Sequence, residues 1–256
     1  MAKDDGSTPS SIGEAEIVVR AFDSEAGQFR RRHHTVKVTN FTTVLDSLIS
    51  IKEKEDPSLS VRYSCRMGIC GSCAMVVNGK PRLACEAMVS KVGRAGPITV
   101  EPMRGHPILR GLVTDFDEFF DKHRSVKPWV MRNNPQERFN TAKEFKQTDE
   151  ERDTFLPFAE CIKCGLCVDA CPVSNTNKEF LGPQALAQGY RYYADSKDQG
   201  KGRRLELLDT MDATWGCEFA GACSEVCPKG VDPALAIQML KVETAKHRLL
   251  GGSKEK

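Results

Sequence analysis

The chain has 256 residues, of which 40% are hydrophobic and 28% charged, and its formal net charge at pH 7 is +2. This length and composition predict a globular protein of two domains and exclude an intrinsically disordered chain. A charge balance so close to neutral gives no electrostatic argument for nucleic acid as a partner, and none is predicted.

The first residues, "MAKDDGSTPSS", are polar, so the sequence predicts a flexible N-terminal segment over 1–14 without a secretory signal. The longest stretch free of Asp, Glu, Lys and Arg runs over 67–79 and is shorter than the ~20 residues that span a bilayer. Eleven cysteines in a chain without an export signal indicate metal or redox chemistry, because disulfides are reduced in the cytoplasm.

Segment 15–106 predicts short β-strands around one helix. "IVVRAF" and "HTVKV" have the β-branched character of strands, while "TTVLDSLISIKE" places apolar residues at the helical period. Asn78 and Gly79 are typical of a hairpin turn between two further strand-like runs, and "PITVEP" closes the unit. We expect a small β-grasp-like sheet with a helix packed on it.

A first cysteine constellation lies inside this segment and consists of Cys65, Cys70, Cys73 and Cys85. The gaps of four and two residues match the plant-type 2Fe-2S loop, in which backbone amides point at the sulfurs. Gly68 and Gly71 allow the close backbone approach that such a loop needs. A zinc site also takes four thiolates and is the alternative, although zinc ribbons favour paired CxxC knuckles.

Segment 107–155 is predicted to be a connecting helix followed by a linker. In "ILRGLVTDFDEFFDKH" the residues Ile108, Leu112, Phe116 and Phe119 fall on one face of a helix. Residues 131–154 are polar and predict an exposed connector.

Segment 156–250 predicts an all-α domain, followed by a flexible C-terminus over 251–256. One helix contains "PQALAQGYRYYADS". A second contains "PALAIQMLKVETAKHR" and is opened by Asp232 and Pro233, which suit the N-cap and the first helical turn.

The second constellation is the run "CIKCGLCVDACP", which ends in Cys171 and Pro172. This is the spacing of bacterial ferredoxins, in which the first three cysteines hold one 4Fe-4S cluster and the fourth ligates a different cluster. Cys227, which also precedes a proline, should then complete the first cluster. The predicted ligands of the 4Fe-4S cluster are Cys161, Cys164, Cys167 and Cys227.

The third constellation, "CEFAGACSEVCP", repeats the second with Ala220 in place of a cysteine. The predicted ligands at this site are Cys171, Cys217 and Cys223. Three thiolates favour a 3Fe-4S cluster, a cube without one corner, and Ala220 then marks the vacant ligand position. The alternative is a 4Fe-4S cluster whose fourth iron is bound by water or by Glu218.

These segments predict an α+β chain: an N-terminal β-grasp domain of the plant-type 2Fe-2S ferredoxins, followed by an all-α domain like the bacterial two-cluster ferredoxins. The order of the three cysteine runs resembles that of the iron-sulfur subunit of succinate dehydrogenase and fumarate reductase, respiratory complex II. The text between the cysteines, such as "GPQALA", "YRYYADSKD" and "CSEVCPKGVDP", is also similar to that family.

The resemblance implies an electron-transfer subunit without catalytic residues of its own. In this family a flavoprotein subunit oxidises succinate at its FAD, and the iron-sulfur subunit passes single electrons to quinone at a membrane anchor. The implied partners are therefore the flavoprotein, one or more anchor subunits with or without haem b, and the quinone. The implied location is the cytoplasmic face of the cell membrane, where an anchor subunit holds the chain peripherally.

The resemblance also suggests quinone contacts at Pro172, Lys241 and Trp215. Many ubiquinone-reducing members have tryptophans shortly after the cysteine that matches Cys171, whereas this chain reads "PVSNTN". This difference favours menaquinone. Succinate oxidation is the predicted direction, quinol-dependent fumarate reduction is the first alternative, and a soluble ferredoxin-type carrier for another oxidoreductase is the second.

Overall fold

A computed structural model describes residues 13–140, 142 and 144–249. Residues 1–12 of the predicted flexible N-terminus and the whole predicted C-terminal segment, 251–256, lie outside the described residues. The chain divides into two compact units, and the boundary between them in the sequence falls between Asp115 and Phe116.

The first unit is built on a five-stranded sheet with the strand order β2-β1-β5-β3-β4. The elements that form this sheet and cover it are β1 (Gly13–Asp23), β2 (Gln28–Val38), α1 (Val44–Lys54), β3 (Ala74–Val77), β4 (Lys80–Leu83), α2 (Val89–Val92) and β5 (Ile98–Glu101). Strands β1 and β5 run parallel, while the other paired strands run antiparallel. This mixed sheet with a packed helix is the predicted β-grasp arrangement.

Local sequence signals account for the turns and caps of this unit. Asn78 and Gly79 have φ angles of 50° and 75°, which are the left-handed values that a tight hairpin turn requires. Helix α1 begins after Thr43, whose side chain accepts from the Asp46 N–H while the Asp46 carboxylate accepts from the Thr43 N–H. The predicted hairpin and the predicted helix are both confirmed.

The predicted helix over 108–119 is wrong in its first half. Residues Ile108–Arg110 form β6, which pairs with β7 (Val113–Thr114). Gly111, with a φ of 61°, breaks the helical path between them, and its N–H and C=O both bond to Phe22 of β1 at 2.8 and 3.0 Å. The apolar residues do have the spacing of a helix, but the Gly111 N–H and C=O bond to strand β1 rather than to a neighbouring helical turn.

Among the described residues of the second unit, all regular secondary structure is helical. Its helices are α3 (Asp117–Ser125), α4 (Asp149–Asp153), α5 (Leu156–Ala159), α6 (Leu166–Ala170), α7 (Pro172–Thr176), α8 (Gly182–Ala194), α9 (Lys201–Leu208), α10 (Ala222–Glu225) and α11 (Pro233–Leu249), with short 3-10 turns at Pro135–Phe139 and Thr214–Gly216. The predicted helices around "PQALA" and "PALAI" correspond to α8 and α11. Asp232 accepts from the Leu235 N–H at 2.9 Å, as an N-cap does.

Helix α8 is the centre of this unit, because it is buried from Gly182 to Tyr190. It approaches α9 so closely that a Cβ on Gly189 would lie 2.9 Å from Leu208. In the middle of α9 the Arg204 side chain is fully buried and pairs with Asp198 at 3.0 Å. The same guanidinium donates to the Val126 and Lys127 carbonyls at 2.6 and 2.7 Å, which ties the segment after α3 to this core.

The polar segment 131–154 is attached to the unit at its beginning. The Met131 N–H donates to Asp198 at 2.9 Å, and the Met131 side chain is buried. Within the described ranges 13–140, 142 and 144–249, no helix combines the length and apolar character needed to cross a membrane.

Candidate metal centres

The loop that carries Cys65 and Cys70 directs backbone N–H groups at thiol sulfurs. The N–H groups of Met67, Ile69 and Cys70 lie 3.5, 3.3 and 3.2 Å from the Cys65 Sγ. The Cys65 N–H lies 3.4 Å from the Cys70 Sγ. Such donors stabilise sulfurs that carry negative charge, as thiolates bound to iron do.

Cys85 is brought to the same loop from the end of β4. The Gly68 N–H lies 3.3 Å from its Sγ, across a sequence separation of 17 residues. Gly68 has a φ of 70°, a left-handed backbone conformation that favours glycine. Arg66 and Gly71 also have positive φ angles, of 58° and 75°.

Cys73 is buried beside Cys85, whereas Cys70 is exposed. Burial acts to raise the pKa of the Cys70 thiol, but hydrogen bonds from the Ser72 hydroxyl and the Cys65 N–H lower it to about 6. Burial raises the pKa of Cys73 to about 12. The loop therefore supplies amide donors, and a bound metal would supply the positive charge that deprotonates the buried thiol.

In the second unit one cavity is lined by the four cysteines Cys161, Cys164, Cys167 and Cys227. It encloses about 400 Å³ of space that includes its open mouth, and Gln184 and Ala187 of α8 also line it. Burial raises the pKa of Cys161, raises that of Cys164 to about 11, and raises that of Cys167 further, with the neighbouring thiols adding to the effect. Four thiols facing one space suit a cluster that binds through thiolates.

A neighbouring cavity of about 350 Å³ is lined by the three cysteines Cys171, Cys217 and Cys223. Ala220 lies on its wall, between Phe219 and Gly221, where it brings only a methyl group. Burial raises the pKa of Cys223 to about 11, and Cys171 and Cys217 add to this shift. Glu218 also lines this cavity, but it is exposed to solvent.

The two cysteine runs share one backbone conformation. Lys163 and Phe219 both have a φ of 56°, and Gly165 and Gly221, with φ angles of 81° and 75°, each cap the short helix that follows. Their first backbone bonds also correspond: Val168 N–H to Gly165 C=O and Ser224 N–H to Gly221 C=O are both 3.0 Å. The loop at Ala220 is therefore built like the loop at Cys164, with the sulfur absent.

The short helices α6 and α10 connect the two cavities. Cys167 lines the first cavity and Cys171, at the end of α6, lines the second; Cys223 lines the second cavity and Cys227, just beyond α10, lines the first. Because four residues of helix advance the chain by about 6 Å, each run can reach both cavities. The fourth cysteine of each run thus lies with the first cysteines of the other.

The three residues suggested as quinone contacts differ in their surroundings. Pro172 is exposed and lines the Cys171 cavity. The Lys241 Nζ donates to the Cys217 carbonyl at 2.7 Å, which places its ammonium group beside the same loop. The Trp215 indole N–H donates to Asp209 at 2.6 Å, so this polar atom has a protein partner.

Sequence reasoning missed two buried polar residues beside the Cys161 cavity. The Gln184 Nε2 lies 4.0 Å from the Cys161 Sγ and 3.2 Å from the His123 Nδ1. Burial, together with the charges of Lys163 and Arg124, lowers the pKa of His123 to about 4. Only the tertiary structure reveals this contact, because His123 and Gln184 are 61 positions apart in the chain.

Within the part of the chain that the structure describes, no group of three or more His, Cys, Asp or Glu side chains is placed to bind a single metal ion.

Two family models match the chain. One, described as "2Fe-2S iron-sulfur cluster binding domain", matches residues 16–121, and the other, described as "4Fe-4S dicluster domain", matches residues 157–231. Together with the fold, these matches confirm the predicted α+β class and the presence of a 2Fe-2S and a 4Fe-4S cluster domain.

Curated relatives cover most of the chain. It is 47% identical over 218 residues to the fumarate reductase iron-sulfur subunit of Mycobacterium tuberculosis, which covers 84% of this chain and 86% of the relative. It is 38% identical over 199 residues to the succinate dehydrogenase iron-sulfur subunit of Paracoccus denitrificans, which covers 77% of this chain and 74% of the relative. Among solved structures, a chain of the Mycobacterium smegmatis Sdh1 complex in the apo form matches with a TM-score of 0.83 and 26% identity, over 94% of this chain and 98% of that chain.

Proposed function

Because the chain belongs to the family of iron-sulfur subunits of fumarate reductase and succinate dehydrogenase, we propose that it passes single electrons between the FAD of a flavoprotein subunit and a membrane quinone. The chain is the electron-transfer subunit of an oxidoreductase complex, and the substrate reacts in the partner flavoprotein. Iron-sulfur clusters supply the one-electron redox steps in such a chain. The protein's own part is to hold the clusters and tune them.

The proposed 2Fe-2S ligands are Cys65, Cys70, Cys73 and Cys85. Those of the 4Fe-4S cluster are Cys161, Cys164, Cys167 and Cys227, and those of a 3Fe-4S cluster are Cys171, Cys217 and Cys223. The amide donors around Cys65 and the two cysteine-lined cavities support these sets. A zinc site at the first set is the alternative that metal analysis separates.

The matching loops at Cys164 and Ala220 are the observation that carries this proposal. Since both loops have the same backbone conformation, the second can bring a side chain to its cavity as the first does, and that side chain is a methyl group. A site with three thiolates favours the three-iron cluster. The alternative is a 4Fe-4S cluster with Glu218 or water on its fourth iron, since Glu218 lines the same cavity, and iron analysis with EPR separates the two.

We propose succinate oxidation with menaquinone as the electron acceptor. The absence of tryptophan in "PVSNTN" after Cys171 supports menaquinone over ubiquinone. Pro172 and Lys241 border the Cys171 cavity and its loop, which makes them the candidates for quinone contact, and Lys241 has further N–H donors beyond the one used by Cys217. Trp215 is a weaker candidate, since its indole N–H is held by Asp209.

Quinol-dependent fumarate reduction is the second candidate function. It is favoured by the 47% identity to a chain named as a fumarate reductase subunit. Both directions use the same sequence of clusters, so the ligand sets do not distinguish them. A soluble ferredoxin-type carrier would need neither of the partners proposed here, the flavoprotein and the membrane anchor with or without haem b.

The partners are tested by purifying the native complex through a tag on this chain. We expect a flavoprotein and a hydrophobic anchor to co-purify from the membrane fraction. The location that we propose for this complex is the cytoplasmic side of the cell membrane. Absence of both would refute a complex of this kind. The ratio of quinone-linked rates with succinate and with fumarate decides the direction, and a fumarate rate far above the succinate rate would reverse our order.

The clusters are tested by metal analysis and low-temperature EPR of the same complex. We expect an oxidised signal from a 3Fe-4S cluster, and signals from 2Fe-2S and 4Fe-4S clusters on reduction. A silent oxidised spectrum despite full iron loading would count against the three-iron cluster. An excess of zinc over iron would refute the proposed 2Fe-2S ligation.

A further inference from the structure

We propose that Gln184, oriented by His123, donates a hydrogen bond to the Cys161 sulfur and thereby raises the reduction potential of the 4Fe-4S cluster. This inference rests on the proposed ligation of that cluster by Cys161. It assigns a positioning and tuning role to two residues that are not ligands themselves.

Gln184 lies where its side chain can act on the cluster. It stands in the first turn of α8, is only 2% exposed, and lines the cavity that holds Cys161. Its Nε2 lies 4.0 Å from the Cys161 Sγ, which is the long end of the range for a hydrogen bond to sulfur. The same nitrogen lies 3.2 Å from the His123 Nδ1, so its two N–H groups have one partner each.

The oxygen of the Gln184 side chain has no partner in the orientation that directs the nitrogen at Cys161. Its Oε1 is buried and has no hydrogen-bond partner among the described residues. A buried acceptor without a partner is unfavourable, so the oxygen does not stabilise this orientation; the two contacts of the nitrogen favour it. Rotating the amide would turn the oxygen towards a thiolate and repel it, whereas the present orientation directs an N–H at that negative charge.

His123 selects the same orientation from the other side. It is buried on α3, and burial with the charges of Lys163 and Arg124 keeps its ring neutral near pH 7. In the tautomer with its proton on Nε2, the Nδ1 lone pair accepts from the Gln184 amide. We assign this tautomer as part of the proposal, because it holds the amide nitrogen, rather than the amide oxygen, near Cys161.

An N–H donor to a ligand sulfur stabilises the reduced cluster, because reduction adds negative charge at the sulfurs. Loss of this donor should therefore lower the midpoint potential. For a contact of this length we expect a two- to tenfold change in the ratio of reduced to oxidised cluster at fixed potential. By the one-electron constant of 59 mV per tenfold change, this is a shift of about 20–60 mV.

The test compares two matched variants in the assembled native complex, Gln184→Met and Gln188→Met. Gln188 is also buried and lies one turn later on α8, but its Nε2 donates to the Phe158 carbonyl at 2.8 Å. Methionine keeps the length and volume of the side chain and removes its N–H donors. The readout is the midpoint potential of the 4Fe-4S signal in an EPR-monitored redox titration, with the 2Fe-2S signal as an internal reference.

We expect Gln184→Met to lower the 4Fe-4S potential by the stated amount and to leave the 2Fe-2S potential unchanged, while Gln188→Met moves neither. Equal 4Fe-4S shifts in both variants, or no shift in Gln184→Met, would overturn the inference. If Gln184→Met does not assemble, His123→Leu decides, because it leaves the amide in place and removes its acceptor. His123→Leu should shift the potential in the same direction and by less, and an unmoved value would overturn the inference that Gln184, oriented by His123, tunes the cluster.

Failure of the proposed function has a different signature. A wild-type complex without any 4Fe-4S signal would refute the ligand assignment and this inference with it. A wild-type signal with an unmoved midpoint in the Gln184 and His123 variants would overturn only the inference.

Discussion

Replacing Ala220 by cysteine should convert the proposed three-iron site into a four-iron site. The loop is already shaped for a thiol, since the φ angles on either side of Ala220 are 56° and 75°, against 56° and 81° around Cys164. These differences are well inside the ordinary scatter of about 15–20° for one conformation. Because Ala220 is exposed and already has a Cβ, the added sulfur should change the stability by no more than about 0.5 kcal/mol.

The expected gain is one iron per chain in the Ala220→Cys complex, together with loss of the oxidised three-iron EPR signal. The potential of the converted site should fall, and quinone reduction should slow. Ala220→Ser is the matched control, because it adds a side chain of similar size that is not a thiolate ligand. Unchanged iron and an unchanged three-iron signal in a folded Ala220→Cys complex would refute the correspondence between the two loops.

Three predictions concern stability and are checked by thermal unfolding of the purified complex. In Gly216→Ala the new Cβ would lie 2.3 Å from the Met211 carbonyl oxygen, so we expect a loss of about 1–3 kcal/mol, and an unchanged unfolding temperature would contradict the close contact. Asp198→Asn leaves the fully buried Arg204 without its charged partner and should cost about 3–5 kcal/mol, so a loss near zero would argue against a buried ion pair. The folded pKa of His123, about 4, lies below its ordinary value of 6.5, so the unfolded state binds more protons between these values and stability falls with falling pH. Between pH 7 and pH 5 the free energy of unfolding of the wild type should fall by about 2 kcal/mol because of His123. The His123→Gln variant should lack this loss, and equal pH profiles of the two proteins would refute the prediction.

Much of the candidate site could be predicted because its information is local. Spacings such as CxxCxxC bring thiols to one loop whatever surrounds them, and Gly165 and Gly221 allow the turn that each loop needs. The correspondence between Cys164 and Ala220 was likewise visible as a repeat in the printed sequence, and the shared backbone conformation agrees with it.

The helical period over 108–119 misled because the spacing of apolar residues does not by itself determine the backbone conformation of a segment. Whether those residues form a helix or a strand depended on Phe22, which lies far away in the sequence and bonds to Gly111. The positive φ of Gly111 was equally compatible with a helix end, so the residues themselves did not distinguish the two outcomes.

The sequence alone determined the number, order and spacing of the cysteines and the two-part α+β organisation, since these depend on residues close together in the chain. It also determined the membership of an electron-transfer family, since this depends on similarity to relatives. Only the tertiary structure decided what surrounds the sulfurs. Gln184 reaches Cys161, and His123 reaches Gln184, because α3 and α8 pack against each other across 61 positions of chain. Such contacts are set by packing and burial. The ligands could be predicted because a motif is local in sequence, whereas the groups that tune the cluster could not, because they come from distant parts of the chain.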